Sequence, residues 1–364
     1  MRLTLSGMTK RVRCAVIGAG WWGTTAHIPA LLRHPGADLC CVHHRDRQVA
    51  QRIARDFAVP CAAASVEEAL DREPLDAVVI SSTPNVHYAQ ATAALQRGLH
   101  VLIEKPMTIT AAEAGELVSL ADRQGVHFLL SGPWHYTAHA ATAQRLVRSG
   151  ALGDIKMISV LMTNFCIGIY RGLPWEQVFA GSDNFESQPP YLPPEPASFA
   201  DPAVSGGGQI YTQVAHVGAY LAFLTGADPR AVFARFDNYD TEVDVYDSIN
   251  ATWSGGTLVS IASTGAPMPG ERTFEVRVFG TEAMLFLELW HGTMRMYGAS
   301  GAPHDYAPLA EEEIYPLHAP AENLVDVVAG VAPNRSPATL GWSAMKLIEA
   351  ACESARSGAD VRVA

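Results

Sequence analysis

The chain has 364 residues, enough for two domains of ordinary size, each with its own core. With 48% hydrophobic and 17% charged residues it reads as a folded globular protein and not a disordered one. A formal net charge of -11 without a compensating basic patch argues against broad binding to nucleic acid or to an anionic membrane surface. Arg45, Arg47, Arg52 and Arg55 do gather, but Asp46 and Asp56 are interleaved with them, as on a solvated helix face. The 6 cysteines form no CxxC pair and no metal-ligand spacing, so they read as small buried thiols, and no metal site is expected. The first residues lack the long apolar stretch of a secretory signal or membrane span, which makes the cytoplasm the expected compartment. Met8 is a candidate start, with the residues before it an upstream extension.

From Arg13 to Leu130, short apolar runs alternate with helical stretches, the pattern of a doubly wound parallel sheet. Strands are predicted at Cys14–Ile17, Leu39–His43, Ala77–Ser81, His100–Ile103 and Phe128–Ser131. Helices are predicted at Trp22–Leu32, Gln48–Phe57, Val66–Leu70, Val86–Gln96 and Ala111–Gln124. After Gly150 the texture changes. Lys156–Thr163, Val232–Asn238, Asp247–Trp253, Thr257–Ser263 and Thr273–Phe279 follow one another as strands without long helices between, which predicts a mostly antiparallel sheet. Several of these runs alternate polar and apolar residues, so one face is expected to be covered and the other free for a partner. The Pro-, Gly- and aromatic-rich stretch Phe165–Ser205 is too long for a simple connection and reads as a functional loop. Ala338–Ser357 predicts an amphipathic helix packing back on the sheet or on the first domain. The fold class is therefore α/β: an N-terminal Rossmann domain over residues 8–131 and a C-terminal α+β domain over 132–364 with a large, mostly antiparallel open sheet.

The first strand runs into Gly18-Ala19-Gly20-Trp21-Trp22-Gly23. Gly18 allows a sharp turn, Gly20 a close approach of a pyrophosphate, and Gly23 tight packing of helix on strand. The amides of the following helix N-terminus, from Trp21 and Trp22 onward, suit phosphate. A glycine triplet alone also occurs as an ordinary turn, so its meaning depends on the rest of the chain. At the tip of the second strand, where an NAD-selective fold often places an acid, stand His44 and Arg45. An arginine can pair with a 2′-phosphate, which tilts the cofactor toward NADP. Asp46 as the ribose ligand, with Arg45 in solvent, leaves NAD acceptable. The loop Ser82-Thr83-Pro84-Asn85-Val86-His87 and the strand end Glu104-Lys105-Pro106 both lie where open α/β sheets bind ligands. Lys105 there suits stabilisation of a developing alkoxide.

These motifs, in this order and spacing, resemble the Gfo/Idh/MocA family of NAD(P)-dependent oxidoreductases acting on sugars, cyclitols and their derivatives. Ser149-Gly150-Ala151-Leu152-Gly153-Asp154-Ile155 resembles the family's hinge into its second domain, and the resemblance runs over essentially the whole chain. It implies that Lys105 lies beside nicotinamide and substrate, and that its bond to Pro106 is often cis. It also implies a glycine run followed by Asp-x-x-x-His. Here Gly206-Gly207-Gly208 leads to Thr212 and His216, so threonine stands in the aspartate's place. Threonine offers only a neutral hydrogen bond. His216 becomes the candidate general acid and base, Lys105 the stabiliser of the oxygen, and Thr212 a positioner of a substrate hydroxyl. Trp134, His135 and Tyr136 match a segment that lines the substrate pocket in relatives, and Asn164, Arg171 and Trp175 form a second candidate substrate-facing group.

The expected activity is hydride exchange between NAD or NADP and a secondary hydroxyl of a sugar-like substrate. The alternative is glycoside cleavage by transient oxidation, elimination, hydration and re-reduction, kept open by Thr212 and the long loop. A cofactor-binding sensor without catalysis is a third reading, disfavoured by the presence of both Lys105 and His216. The family's use of its open sheet for subunit contacts implies a homodimer or homotetramer.

Overall fold

The computed structural model describes residues 10–72, 74–178, 189–299 and 301–363. The expected start at Met8, residues 179–188 of the long loop and Ala364 lie outside the described residues. Strands β1 (Val12–Ile17), β2 (Ala37–His43), β3 (Cys61–Ala63), β4 (Ala77–Ile80), β5 (His100–Ile103) and β6 (Phe128–Leu130) form a six-stranded parallel sheet in the order β3-β2-β1-β4-β5-β6. Their continuous apolar runs fit a sheet buried on both faces by helices. At only 3 residues, β3 has no readable period, which explains why it was not anticipated.

Local signals set the helix boundaries. Asp46 caps the helix Arg47–Asp56, and Thr110 with Glu113 forms a capping box at Ala111–Gln124, which ends at a left-handed Gly125. The segment after the glycine motif is wider than an α-helix over Gly23–His27, then regular over Ile28–Arg33. That widened turn brings His27 into the interior.

In the second domain, β7 (Ile155–Thr163), β8 (Pro229–Asp237), β9 (Tyr246–Trp253), β10 (Leu258–Thr264), β11 (Thr273–Gly280), β12 (Ala283–Glu288), β13 (Thr293–Gly298), β14 (Pro303–Asp305) and β15 (Val361–Arg362) form a nine-stranded sheet. Its order is β14-β13-β12-β11-β7-β10-β9-β8-β15, antiparallel except where β7 runs parallel to β10. One face is covered by the helices Val214–Thr225 and Thr339–Ser357. On the other, Leu258 is 57% exposed and Met157, Leu161 and Tyr246 are also open to solvent.

The C-terminal helix packs on Val214–Thr225 and β8 and also on Ala111–Gln124 of the first domain. The expectation offered these as alternatives; the helix does both. The notch at Gly115 admits the Trp342 ring, and Gly218 admits Ala344; a β-carbon at either site would lie 3.0 or 2.9 Å from those neighbours. Among the described residues no helix is long and apolar enough to cross a membrane.

Candidate active site

The glycine motif forms an open cradle. Gly18 has φ +77°, and a β-carbon there would come within 2.5 Å of the Ser82 amide nitrogen. A β-carbon on Gly23 would meet the Gly18 carbonyl oxygen at 3.3 Å, so helix and strand are already close. Gly20, by contrast, faces free space with nothing within 4 Å. That combination fits a pyrophosphate above the turn. Beside it, the Ser82 hydroxyl donates to Gln90 Oε1 at 2.6 Å and the Thr83 hydroxyl to Asn85 Oδ1 at 2.7 Å. Pro84 opens the helix that follows.

His87, expected to face the cofactor, is instead fully buried. Its nitrogens lie 3.0 Å from the carbonyl oxygens of Ser82 and Pro106, and burial keeps the ring below the usual histidine range. It ties the β4 loop to the β5 loop rather than reaching into the groove.

At the other end of the cradle, His43 Nδ1 accepts from the Gly18 amide at 3.2 Å and His44 Nδ1 from the Asp46 amide at 3.1 Å. Burial lowers both imidazole pKa values. Arg45 forms an ion pair with Glu195.

The chemistry-bearing end lies past β5. The Lys105–Pro106 bond is cis. Glu104 is 7% exposed, accepts from or shares a proton with His27 Nε2 at 2.8 Å, and accepts from the Lys105 amide at 3.2 Å. Burial pushes its carboxyl upward, but His27, the Ser131 hydroxyl and the Lys105 charge outweigh that and hold it below the ordinary range. Lys105 Nζ donates to the Thr212 carbonyl oxygen at 2.9 Å, and burial lowers its pKa against the opposing pull of Glu104.

His216 is 8% exposed, and its pKa is driven well below the usual value by burial and by the charges of Lys105 and His135. Its imidazole makes no hydrogen bond among the described residues, and the Trp134 ring stands edge-on to it at 5.1 Å.

Lys105, Trp134, His135 and His216 line one water-sized cavity. Its other polar walls are Ser131 and Tyr220, and Trp134 Nε1 and Tyr220 OH are buried with no partner among the described residues. Tyr220 was missed, although Thr212, His216 and Tyr220 continue one helical spacing of four residues.

Other expectations are placed differently. The Thr212 hydroxyl points into the protein, donating to the Gly208 carbonyl at 2.8 Å and pairing with Tyr170 OH, so its carbonyl and not its side chain meets Lys105. Tyr170 also donates to Gln209 Oε1 at 2.8 Å and is a second residue the sequence did not reveal. His135 stacks on Phe223 at 4.8 Å and bonds Ser336, and burial depresses its pKa to about 3. Tyr136 bonds Asn323 behind the cavity, and Arg171 pairs with Asp240 at the periphery. Asn164 is half-buried at the end of β7, where its amide bonds the Thr264 carbonyl. Trp175 packs on Trp21 at 4.6 Å, joining the long loop to the glycine cradle.

Behind the site, Asp244 accepts from the Gly208 and Ile210 amides at 2.8 and 2.6 Å, which fixes the glycine run. Asp247 is buried beside it, its pKa raised by burial and by Asp244.

A family model described as "Oxidoreductase family, NAD-binding Rossmann fold" matches residues 12–131, and one described as "GFO/IDH/MocA C-terminal domain" matches residues 179–286. The uncharacterized oxidoreductase sll0816 of Synechocystis is 36% identical over 155 residues, 42% of each chain. The dTDP-3,4-didehydro-2,6-dideoxy-alpha-D-glucose 3-reductase of Streptomyces antibioticus is 35% identical over 42% of this chain and 46% of its own. The scyllo-inositol 2-dehydrogenase (NADP(+)) IolW of Bacillus subtilis is 23% identical over 71% of this chain and 64% of its own. The chain thus aligns with about half the length of the first of these curated relatives. The same fold is seen in GenD2 from gentamicin A biosynthesis in complex with NAD, at a TM-score of 0.77, 23% identity and coverage of 100% and 99%. It recurs in levoglucosan dehydrogenase with NADH and levoglucosan, at 0.79, 17% and coverage of 97% and 100%. With both family models matched in order on a Rossmann sheet followed by a large open sheet, this chain belongs to the GFO/IDH/MocA family of oxidoreductases.

Proposed function

We propose that the protein is an NAD(P)-dependent oxidoreductase acting on one secondary hydroxyl, or the corresponding ketone, of a sugar, sugar derivative or cyclitol. The observation that carries this reading is the meeting of Lys105 and His216 on one cavity at the carboxyl end of β5. The names of the relatives, a nucleotide-sugar reductase and an inositol dehydrogenase, support the substrate class. The chemistry a bound nicotinamide supplies is hydride exchange with the carbinol carbon. His216, neutral because burial depresses its pKa, takes the hydroxyl proton on oxidation and returns it on reduction. Lys105 directs an ammonium at the oxygen, where charge develops. His27 and Glu104 hold the turn that presents Lys105, and Trp134 fixes the His216 ring from one side.

A second, redox-neutral reading, including glycoside cleavage with the cofactor returned unchanged, is favoured by one observation. The long loop meets the cradle through Trp175 and Phe199 on Trp21 and through Glu195 on Arg45, contacts that suit a retained cofactor. The experiment that separates the readings is to denature purified protein, identify any released dinucleotide, and follow reduced nicotinamide while offering sugars, cyclitols and glycosides. Net reduction on a free sugar or cyclitol supports the first reading. Aglycone release without net reduction supports the second.

The exposed sheet face with Met157, Leu161, Tyr246 and Leu258 supports a homodimer or homotetramer, which light scattering tests.

A further inference from the structure

In a Rossmann fold, an acid at the tip of β2 accepts from the adenosine ribose hydroxyls, whereas an arginine accommodates a 2′-phosphate. The tip of β2 in this chain has no acid to spare. His44 is turned onto the Asp46 amide, and the Asp46 carboxylate accepts from the Gln48 and Val49 amides at 2.8 and 3.3 Å as a helix cap. Arg45 is the cation at the tip, and both carboxylate oxygens of Glu195 close on its Nη2.

Glu195 comes from the second domain, but its segment is fastened to this flank of the first. Tyr191 donates to Asp56 Oδ2 at 2.7 Å, its ring meets Phe57 at 5.1 Å, and the Arg52 guanidinium lies 5.6 Å from the ring centre. Leu192 packs against the Rossmann core. These contacts hold the carboxylate beside Arg45, independent of the weak energy of an exposed ion pair.

We propose that Glu195 is the acid of the adenosine ribose subsite, delivered by the second domain, and that it makes the protein selective for NAD over NADP. The inference rests on the dinucleotide reading above. Glu195 neutralises the guanidinium that a 2′-phosphate requires and sets a like charge against that phosphate, while its oxygens accept from the free hydroxyls of NAD. The tilt toward NADP that Arg45 alone suggests is thereby reversed.

The test is calorimetric titration of the full chain, stripped of nucleotide, with NAD and with NADP. Wild type, Glu195→Gln and Glu195→Gln/Arg45→Ala are compared after circular dichroism confirms folding. Wild type is expected to favour NAD by about tenfold or more, and Glu195→Gln to move that ratio toward NADP by a similar factor. The added Arg45→Ala is expected to cancel the gain in NADP affinity. A wild-type preference for NADP, or a ratio unmoved by Glu195→Gln while both dinucleotides bind, overturns the role of Glu195 alone. Failure of every variant to bind either dinucleotide overturns the dinucleotide reading and this inference with it.

Discussion

The ammonium of Lys105 is held by the backbone carbonyl of Thr212, while the hydroxyl of the same threonine faces the opposite way onto Gly208 and Tyr170. The lysine's position therefore does not depend on the side chain at 212. Thr212→Val keeps the carbonyl and removes the hydroxyl, so kcat/KM is expected to fall by less than about tenfold. Stability is expected to drop by about 1–3 kcal/mol, because Tyr170 loses a buried partner. Steady-state kinetics and a denaturant melt read the two effects separately. A loss of activity as large as that of a Lys105 variant would show that the hydroxyl itself meets substrate.

On the proposed reaction, Lys105→Ala and His216→Ala remove the groups assigned to the reacting oxygen. Each is expected to lower kcat by roughly 100- to 10,000-fold while dinucleotide affinity is retained. Near-wild-type turnover in both would remove the site assignment, and calorimetry with the cofactor shows whether either variant has merely lost its fold.

The pH profile follows from the two shifted groups. The proposed oxidation needs His216 unprotonated, and its pKa lies well below 6.5, so the acid limb of kcat is expected below the ordinary histidine range. The role proposed for Lys105 needs it protonated, and its pKa is lowered from 10.5, so the alkaline limb is expected earlier than for a free lysine. An acid limb centred at or above 6.5 would contradict a neutral, buried His216.

Asp247 is 4% exposed, and its carboxyl shares a hydrogen bond with that of Asp244. Its folded pKa is raised first by burial and then by Asp244, so the folded state binds the proton more tightly than the unfolded chain does. Its stabilising contribution is present below the unfolded pKa and is lost as pH rises toward the folded value. Asp247→Asn is therefore expected to melt higher than wild type at pH 8, by about 2 °C or more, with the difference shrinking toward pH 4. A gain that grows on acidification would reverse the assignment of which carboxyl is neutral.

The glycine cradle and the β5 loop were legible because each is encoded in contiguous residues, whereas the meeting of Lys105 with His216 was expected only through the family resemblance. The larger sheet was readable only in part. The alternation in β7 to β11 is long enough to register, whereas β14 and β15, at 3 and 2 residues, are defined by their neighbours. Residues whose role depends on contacts between distant segments gave no signal. Tyr170 matters through Thr212, and Glu195 through Arg45, a partner 150 positions away. His87 and Thr212 misled for the opposite reason: their place in a motif says which loop they occupy, not which way the side chain turns.

The helix Thr339–Ser357, keyed against Gly115 of the first domain and Gly218 of its own, contributes no residue to the cavity that Lys105 and His216 line. Lys105 belongs to the first domain and His216 to the second, and this helix packs on Ala111–Gln124 of the one and Val214–Thr225 of the other, so how deeply Trp342 and Ala344 seat bears on the spacing of the two proposed reacting groups. An added methyl at Gly115 would act as a shim between the domains, and one at Gly218 as a shim between two helices of the second. Because a displacement of about 1 Å can cost a reaction roughly a hundredfold, the tolerance of the proposed active site is written in two glycines outside its cavity.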